Sequence, residues 1–190
     1  MKKLVILDRD GVINYDSKDF IKSPEEWHPI PGSLEAIAKL NQAGFNIAIA
    51  TNQSGLARQF FDNQMLDLIH QKMQKYLAYL GGKIDAIFFC PHGPDDNCLC
   101  RKPKPGLLLE IASHFSIDFS RSPVPCIGDS LRDIEAAQAA GCRPILVKTG
   151  NGLKTANSLP DSLKHIEQYS DLRMATKTLL RETDSINVLS

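Results

Sequence analysis

The sequence has no surplus of either charge: its 190 residues carry 22 Lys and Arg against 22 Asp and Glu. That balance argues against a surface built for nucleic acid or for an anionic membrane, both of which call for a basic excess. Long apolar runs are missing too, and none comes near the roughly 20 residues that cross a bilayer. After the basic start Met1-Lys2-Lys3, the apolar run Leu4 to Leu7 ends at Asp8, too short for the core of a secretory signal. Internal repeats and low-complexity tracts are absent. Cysteine is scarce, five in all, yet three of the five fall between Cys90 and Cys100. In a reducing compartment such crowding indicates metal rather than disulfides. These absences leave the expectation of a cytoplasmic chain with no nucleic-acid or membrane partner. The length can bury a sizeable core in one domain over residues 1–190. A monomer is expected, because no helical segment shows a clear exposed apolar face.

What is present alternates. LVILD reads as a buried strand, apolar without a polar face, as in parallel sheets covered on both sides. Pro31-Gly32-Ser33 opens a helix carrying Leu34, Ile37 and Leu40 on one face, with Gly44 as its stop. Phe45 to Ala50 is a second strand. Asp62 is placed to cap a helix whose apolar stripe is Met65, Leu66, Ile69, Met73, Tyr76, Leu77 and Leu80. Ile84 to Phe89 is a third strand, followed by the loop CPHGPDDNCLCRKPKPG. Then come a helix over Leu107 to Phe115, a strand over Val124 to Ile127, a helix over Leu131 to Ala140 and a strand over Pro144 to Val147. Beyond about residue 150 the pattern weakens. One short strand near His165 to Tyr169 and a closing helix from Asp171 to Leu180 are predicted, with the last residues frayed. The fold class is therefore α/β: a doubly wound, Rossmann-like parallel sheet with helices on both faces. In such sheets ligands bind beyond the carboxyl ends of the strands. The unusual motifs DRD, TNQSG, CPH to CRKPK and GDS each follow a strand, so all should meet in one crevice.

The residues at that crevice suit one chemistry. Asp8 and Asp10 stand two apart on an extended chain and face the same way; their repulsion asks for a cation between them. Asp129 arrives from the fourth strand as a third oxygen donor. Carboxylates without His or Cys suit Mg2+. Thr51 and Asn52 can hold phosphate oxygens, and Lys102, braced by prolines, can place a positive charge on them; Lys104 is its rival for that role. Such a set fits phosphoryl transfer, where a carboxylate attacks phosphorus and a second acid moves the proton. Asp133, four residues after Asp129, is expected to support the site from behind. Separately, Cys90, His92, Cys98 and Cys100 offer three thiolates and an imidazole within eleven residues, a closed set typical of structural Zn2+. Zinc there would stiffen the loop that carries Arg101 and Lys102.

DRDGVIN, TNQSG, RKPKPG and GDSLRD together resemble the four motifs of the haloacid dehalogenase superfamily of phosphatases. The cysteine-rich insertion is similar to that of the heptose bisphosphate phosphatases, which share their motifs with histidinol-phosphatase domains. The resemblance spans roughly residues 2 to 150. It implies Asp8 as nucleophile and Mg2+ ligand, and Asp10 as general acid and base, offering the metal its backbone carbonyl rather than its side chain. It implies Asp129 as the remaining ligand, Thr51 and Lys102 on the phosphoryl group, and zinc on the loop at about residues 90–100. Substrate contacts are expected from Arg9, Asp16, Ser17, Lys18, Asp19, Asn52, Gln53, Ser54, Arg101 and Ser130. No large cap domain is expected. The activity implied is removal of the 7-phosphate from a heptose 1,7-bisphosphate through an aspartyl phosphate, in the making of lipopolysaccharide core heptose. Histidinol phosphate or another small sugar phosphate is the alternative substrate. Two departures bear on the sugar. Asp16 to Phe20 lacks a Gly-Tyr pair, and Ser130 stands where some members carry Lys.

Other residues read as structural. Cys126 and Cys142 are expected as packed thiols, and His28, His70, His114 and His165 as surface or satisfied residues. Trp27 could line the pocket mouth or pack in the core.

Overall fold

The computed structural model describes residues 3–188; Met1, Lys2 and the last two residues lie outside it, as do the side chains of 186–188. Six strands form one parallel sheet in the order β3-β2-β1-β4-β5-β6. They are β1 (Lys3–Leu7), β2 (Phe45–Asn52), β3 (Ala86–Cys90), β4 (Pro125–Gly128), β5 (Arg143–Val147) and β6 (Glu167–Tyr169). The helices are α1 (Ser33–Gln42), α2 (Asn63–Tyr79), α3 (Gly106–Phe115), α4 (Leu131–Ala139), α5 (Gly152–Ser158) and α6 (Leu172–Val188).

The period-two alternation of β1 explains why it reads as continuously apolar. Val5 and Leu7 face one core with Ile47, Ile49 and side chains of α1, α2 and α6. Leu4 and Ile6 face the other, with Ala48, Ala50 and side chains of α3 and α4. A strand buried on both faces has no room for a polar residue until it ends. The chain leaves β1 for β2 on one side, while β4 pairs on the other. The crevice at that reversal is where a doubly wound sheet binds ligands.

Several sequence expectations shift. The second strand runs two residues further than expected, pairing Thr51 with Phe89 and Asn52 with Cys90. Cys90 thus sits on a strand end rather than in a loop. Helix α5 was not anticipated; it buries only Gly152 and Thr155, too little to show a periodic stripe. The closing helix continues past Leu180 to Val188. The stripe of α2 is narrower than expected. Leu66, Ile69, His70, Met73 and Leu77 are buried, whereas Tyr76 and Leu80 are about two-fifths exposed. The Asp62 cap is present, accepting the Met65 N–H at 2.8 Å. Trp27 is fully buried, its ring edge-on to Tyr76 at 6.0 Å, so it packs rather than lining a pocket. Cys126 and Cys142 are buried core thiols. Among the described residues no helix is long and apolar enough to cross a membrane.

Candidate active site

Asp8 is the first residue past β1, and its N–H donates to the Ile127 carbonyl of β4 at 2.9 Å. The sheet itself therefore sets Asp8 beside the end of β4, where Asp129 follows Gly128. One oxygen each from Asp8, Asp129 and Asp133 lie within 4.8 Å of one another. Three acids so close are strained by repulsion in a partly dry site. Burial, then the neighbouring carboxylates, push Asp8 up to about 8 against the pull of Lys102. Burial and Asp133 push Asp129 up to about 7. Such groups gain most from a divalent ion, and a site of carboxylate oxygens fits Mg2+.

Lys102 closes the arrangement. Its side chain is 4% exposed, and its ammonium donates to Asp8 at 3.0 Å, to Asp133 at 2.5 Å and to the Ala50 carbonyl at 2.7 Å. Burial disfavours its charge, but Asp133 and Asp8 overcome this and raise its pKa. Asn52 fixes the loop that presents it. The amide of Asn52 donates to the Lys102 carbonyl at 3.0 Å and accepts the Lys102 N–H at 3.1 Å. Lys104 is turned to the loop, donating to Asn97 and to the Cys98 carbonyl, so it does not compete. Asp133 is buried, held by Lys102 and by the N–H and hydroxyl of Ser130. It lies beside the cleft, next to Asp8 and Asp129.

Asp10 differs from the first picture of a cation bridged between its side chain and that of Asp8. Its carboxylate is absent from the acid cluster. Both its oxygens are engaged instead by Arg9 at 3.0 Å, by Asn14 at 2.8 Å and by Gln53 at 3.1 Å. Burial raises its pKa, but the Arg9 charge and these hydrogen bonds outweigh that and hold it below the ordinary value. Arg9 itself corrects an expectation. It is fully buried, clamped to Asp10, to the Gln53 carbonyl oxygen at 3.1 Å and to His70 at 3.2 Å, and it does not reach the cleft. His70 is the satisfied histidine expected. Burial and the Arg9 charge lower it to about 3, so the neutral ring accepts from the guanidinium.

These groups open into a cleft of about 240 Å3. Asp8, Asp10, Asp16, Ser17, Thr51, Asn52, Gln53, Ser54, Arg101, Lys102, Asp129, Ser130 and Asp133 line it. Lys18 and Asp19 are exposed and do not. Phe20, Ile21, Arg132 and Asn151 also line it, and none was anticipated. Asn151 follows β5 in the stretch TGNG, a strand-end loop like the other motifs, and that placement was the available signal. Its N–H donates to Asp129 at 2.7 Å and its amide to Asp16 at 3.0 Å. Burial and the Asp10 charge raise the Asp16 pKa, partly offset by hydrogen bonds and by Arg132. Two glycines press on Asp129. A Cβ on Gly11 (φ +82°) would meet its Oδ2 at 2.0 Å, and one on Gly150 (φ +54°) at 2.2 Å. Only glycine combines that backbone with that approach.

The cysteine cluster forms a compact set. Sulfur–sulfur distances among Cys90, Cys98 and Cys100 are 3.2, 3.5 and 3.7 Å, and His92 Nδ1 lies 3.6 Å from Cys90 and 3.3 Å from Cys100. Ligands at ordinary Zn–S and Zn–N lengths in a tetrahedron stand about 3.5–3.8 Å apart, so the residues fit zinc. Arg101 ties its guanidinium to the His92 carbonyl at 3.1 Å.

Comparison with known proteins agrees with this geometry. A family model described as HAD-hydrolase-like matches residues 99–173. The D-glycero-beta-D-manno-heptose-1,7-bisphosphate 7-phosphatase of Bordetella bronchiseptica is 54% identical, covering 95% of this chain and 99% of its own. That of Pseudomonas aeruginosa is 53% identical with the same coverage, 95% and 99%. A crystal structure of the D,D-heptose 1,7-bisphosphate phosphatase from B. bronchiseptica, complexed with magnesium and phosphate, superposes with a TM-score of 0.90 at 54% identity, covering 95% and 99% of the two chains. On that likeness, and with the acid cluster where a doubly wound sheet reverses, the chain belongs to the HAD-like hydrolases and, within them, to the heptose bisphosphate phosphatase family.

Proposed function

We propose that the protein is a phosphatase that removes the 7-phosphate of D-glycero-D-manno-heptose 1,7-bisphosphate, leaving the heptose 1-phosphate used for lipopolysaccharide core heptose. The observation that carries the reading is the meeting of Asp8, Lys102 and Asp129 at the ends of β1 and β4. Asp8 is the group that attacks phosphorus; the bond to the 7-oxygen breaks as the carboxylate bond forms. Lys102 offsets the charge on the phosphoryl oxygens, and the hydroxyl of Thr51, a buried residue that lines the cleft, donates to them. Asp10 gives a proton to the leaving oxygen, then takes one from the water that cleaves the aspartyl phosphate. The Arg9 clamp favours the ionised form of Asp10, which the second step uses; the first uses the protonated form.

Asp8 and Asp129 would hold Mg2+, with the Asp10 carbonyl. The ion, when bound, neutralises the acids and helps orient the phosphate. Cys90, His92, Cys98 and Cys100 would hold a structural zinc. The names of the relatives support the β-anomer as substrate. Five free cysteines suit a reducing cytoplasm, where we place the protein, as a monomer testable by light scattering. The deciding experiment measures phosphate release with Mg2+ from the bisphosphate and from histidinol phosphate. A higher kcat/KM for the heptose substrate, abolished in Asp8→Asn, is expected. Activity retained in that variant overturns the nucleophile, and preference for histidinol phosphate overturns the substrate.

A further inference from the structure

The Asp10 carboxylate is held in a plane and not only at a point. Arg9 grips both of its oxygens: Nε donates to Oδ1 and Nη2 to Oδ2, each at 3.0 Å. A two-pronged contact of this kind fixes the plane of a carboxylate, whereas a single bond, such as that from Asn14 to Oδ1, leaves it free to swing. Gln53 adds a bond to Oδ2, but its own carbonyl oxygen is held by Arg9 Nη2 at 3.1 Å. The orientation of the guanidinium therefore sets the orientation of the acid.

A different element orients the guanidinium. Arg9 Nη1 lies 3.2 Å from Nε2 of His70. A guanidinium only donates, so Nε2 is the acceptor and the ring proton sits on Nδ1. His70 stands near the middle of α2, on its buried face with Ile69 and Met73. It does not line the acid cleft. It borders a separate hollow of about 390 Å3 with Asp67, Gln71 and Gln74. His70 thus reaches the chemistry through Arg9, and ties the clamp on Asp10 to a long packed helix. An apolar side chain at position 70 would suit the core equally well, but it would deprive the buried Nη1 donor of this acceptor.

We propose, on the reading of Asp10 as acid and base, that His70 is a positioning residue for proton transfer: by seating the Arg9 guanidinium it holds the plane of the Asp10 carboxylate for the departing oxygen and the attacking water. The test measures kcat and KM for the heptose bisphosphate with Mg2+ in the full chain, as wild type, His70→Gln, His70→Asn, His70→Leu and Asp10→Asn. Glutamine sets its carbonyl oxygen where the ring holds Nε2 and keeps the acceptor. Asparagine falls short of Arg9 and leucine offers no acceptor, and two such variants guard against misfolding of one. In H70N and H70L kcat should fall about tenfold or more, with KM within about twofold of wild type; H70Q should keep a kcat near that of wild type. With para-nitrophenyl phosphate the leaving group departs without a proton, so kcat/KM should stay within about twofold of wild type in H70N and H70L. An undiminished kcat in H70N and H70L, a fall shared by H70Q, a loss confined to KM, or equal losses on the two substrates overturns the role of His70. If D10N cleaves the bisphosphate as well as wild type does, the reading of Asp10 falls and this inference with it. An inactive D10N beside undiminished H70N and H70L overturns the inference alone.

Discussion

Replacing Lys102 with methionine probes the charge balance on which the site depends. The substitution keeps an apolar stem but removes a buried charge and three hydrogen bonds, to Asp8, Asp133 and the Ala50 carbonyl. Asp133 would then be left buried with Ser130 as its remaining partner. Deleting one member of a buried ion pair costs about 3–5 kcal/mol, because the other charge stays unpaired. At the size of this chain that is a fall of roughly 6–20 °C in thermal midpoint. The pH dependence should reverse. In the wild type, burial raises the Asp133 pKa, but Lys102 and hydrogen bonds bring it below the ordinary value. That stabilisation is present above the unfolded pKa and is lost as pH falls through the folded one. In K102M only the Ser130 hydrogen bonds oppose burial; the folded pKa is expected to rise above the unfolded one, and stability is then lost as pH rises instead. The gap between wild type and variant should thus be wide at about pH 8 and narrow toward about pH 5. Urea unfolding without added Mg2+, followed by the fluorescence of buried Trp27, measures it. A gap below about 1 kcal/mol, or one equal at both pH values, would refute the claim that Lys102 is the counterion of this cluster.

Purified protein should hold about one zinc per chain after Mg2+ is removed with a mild chelator; Cys98→Ser should lose it and melt earlier, by elemental analysis and a thermal scan. Asn151→Ala removes the amide that bridges Asp16 and Asp129 and should weaken Mg2+ binding roughly tenfold, read by calorimetric titration; unchanged affinity would show that the backbone N–H alone orients Asp129. Gly150→Ala forces a Cβ onto Asp129 and should cost about 1–3 kcal/mol of stability together with most of the phosphate release. In the metal-free protein, the raised pKa values of Asp8 and Asp129 mean that stability falls as pH climbs from about 4 to about 8. Added Mg2+ should flatten that fall, and a melting point rising with pH without metal would contradict the crowding of the acids.

The sheet and most of the cleft were legible because strand ends in a doubly wound fold announce themselves. An apolar run stops abruptly at an acid, as Leu7 does before Asp8 and Gly128 before Asp129. What failed to show depends on direction rather than position. Arg9 and Asp10 are neighbours in sequence, yet Arg9 turns into a buried pocket with His70 and Gln53 while Asp10 faces the cleft. No pattern of residue types distinguishes those two orientations. Lys18 and Asp19 look as eligible as Asp16 and Ser17, but only the turn that places Phe20 at φ +66° decides which of them face inward. Arg132 was overlooked because it joins the cleft from the first turn of α4, and Asn151 because it caps α5, a helix the sequence pattern did not show. The core of α2 was overdrawn for a related reason: Tyr76 has helical spacing but meets only the edge of Trp27 at the surface of the stripe.

The Asp8 N–H bonded to the Ile127 carbonyl fastens the reactive acid to the middle of the sheet, between its two central strands, β1 and β4. Amides in such central ladders exchange with solvent last, because freeing them takes opening of the whole molecule. Heat should therefore not blunt this catalyst by degrees. Its turnover would persist until the cooperative melt and vanish with it, so inactivation and unfolding curves would coincide.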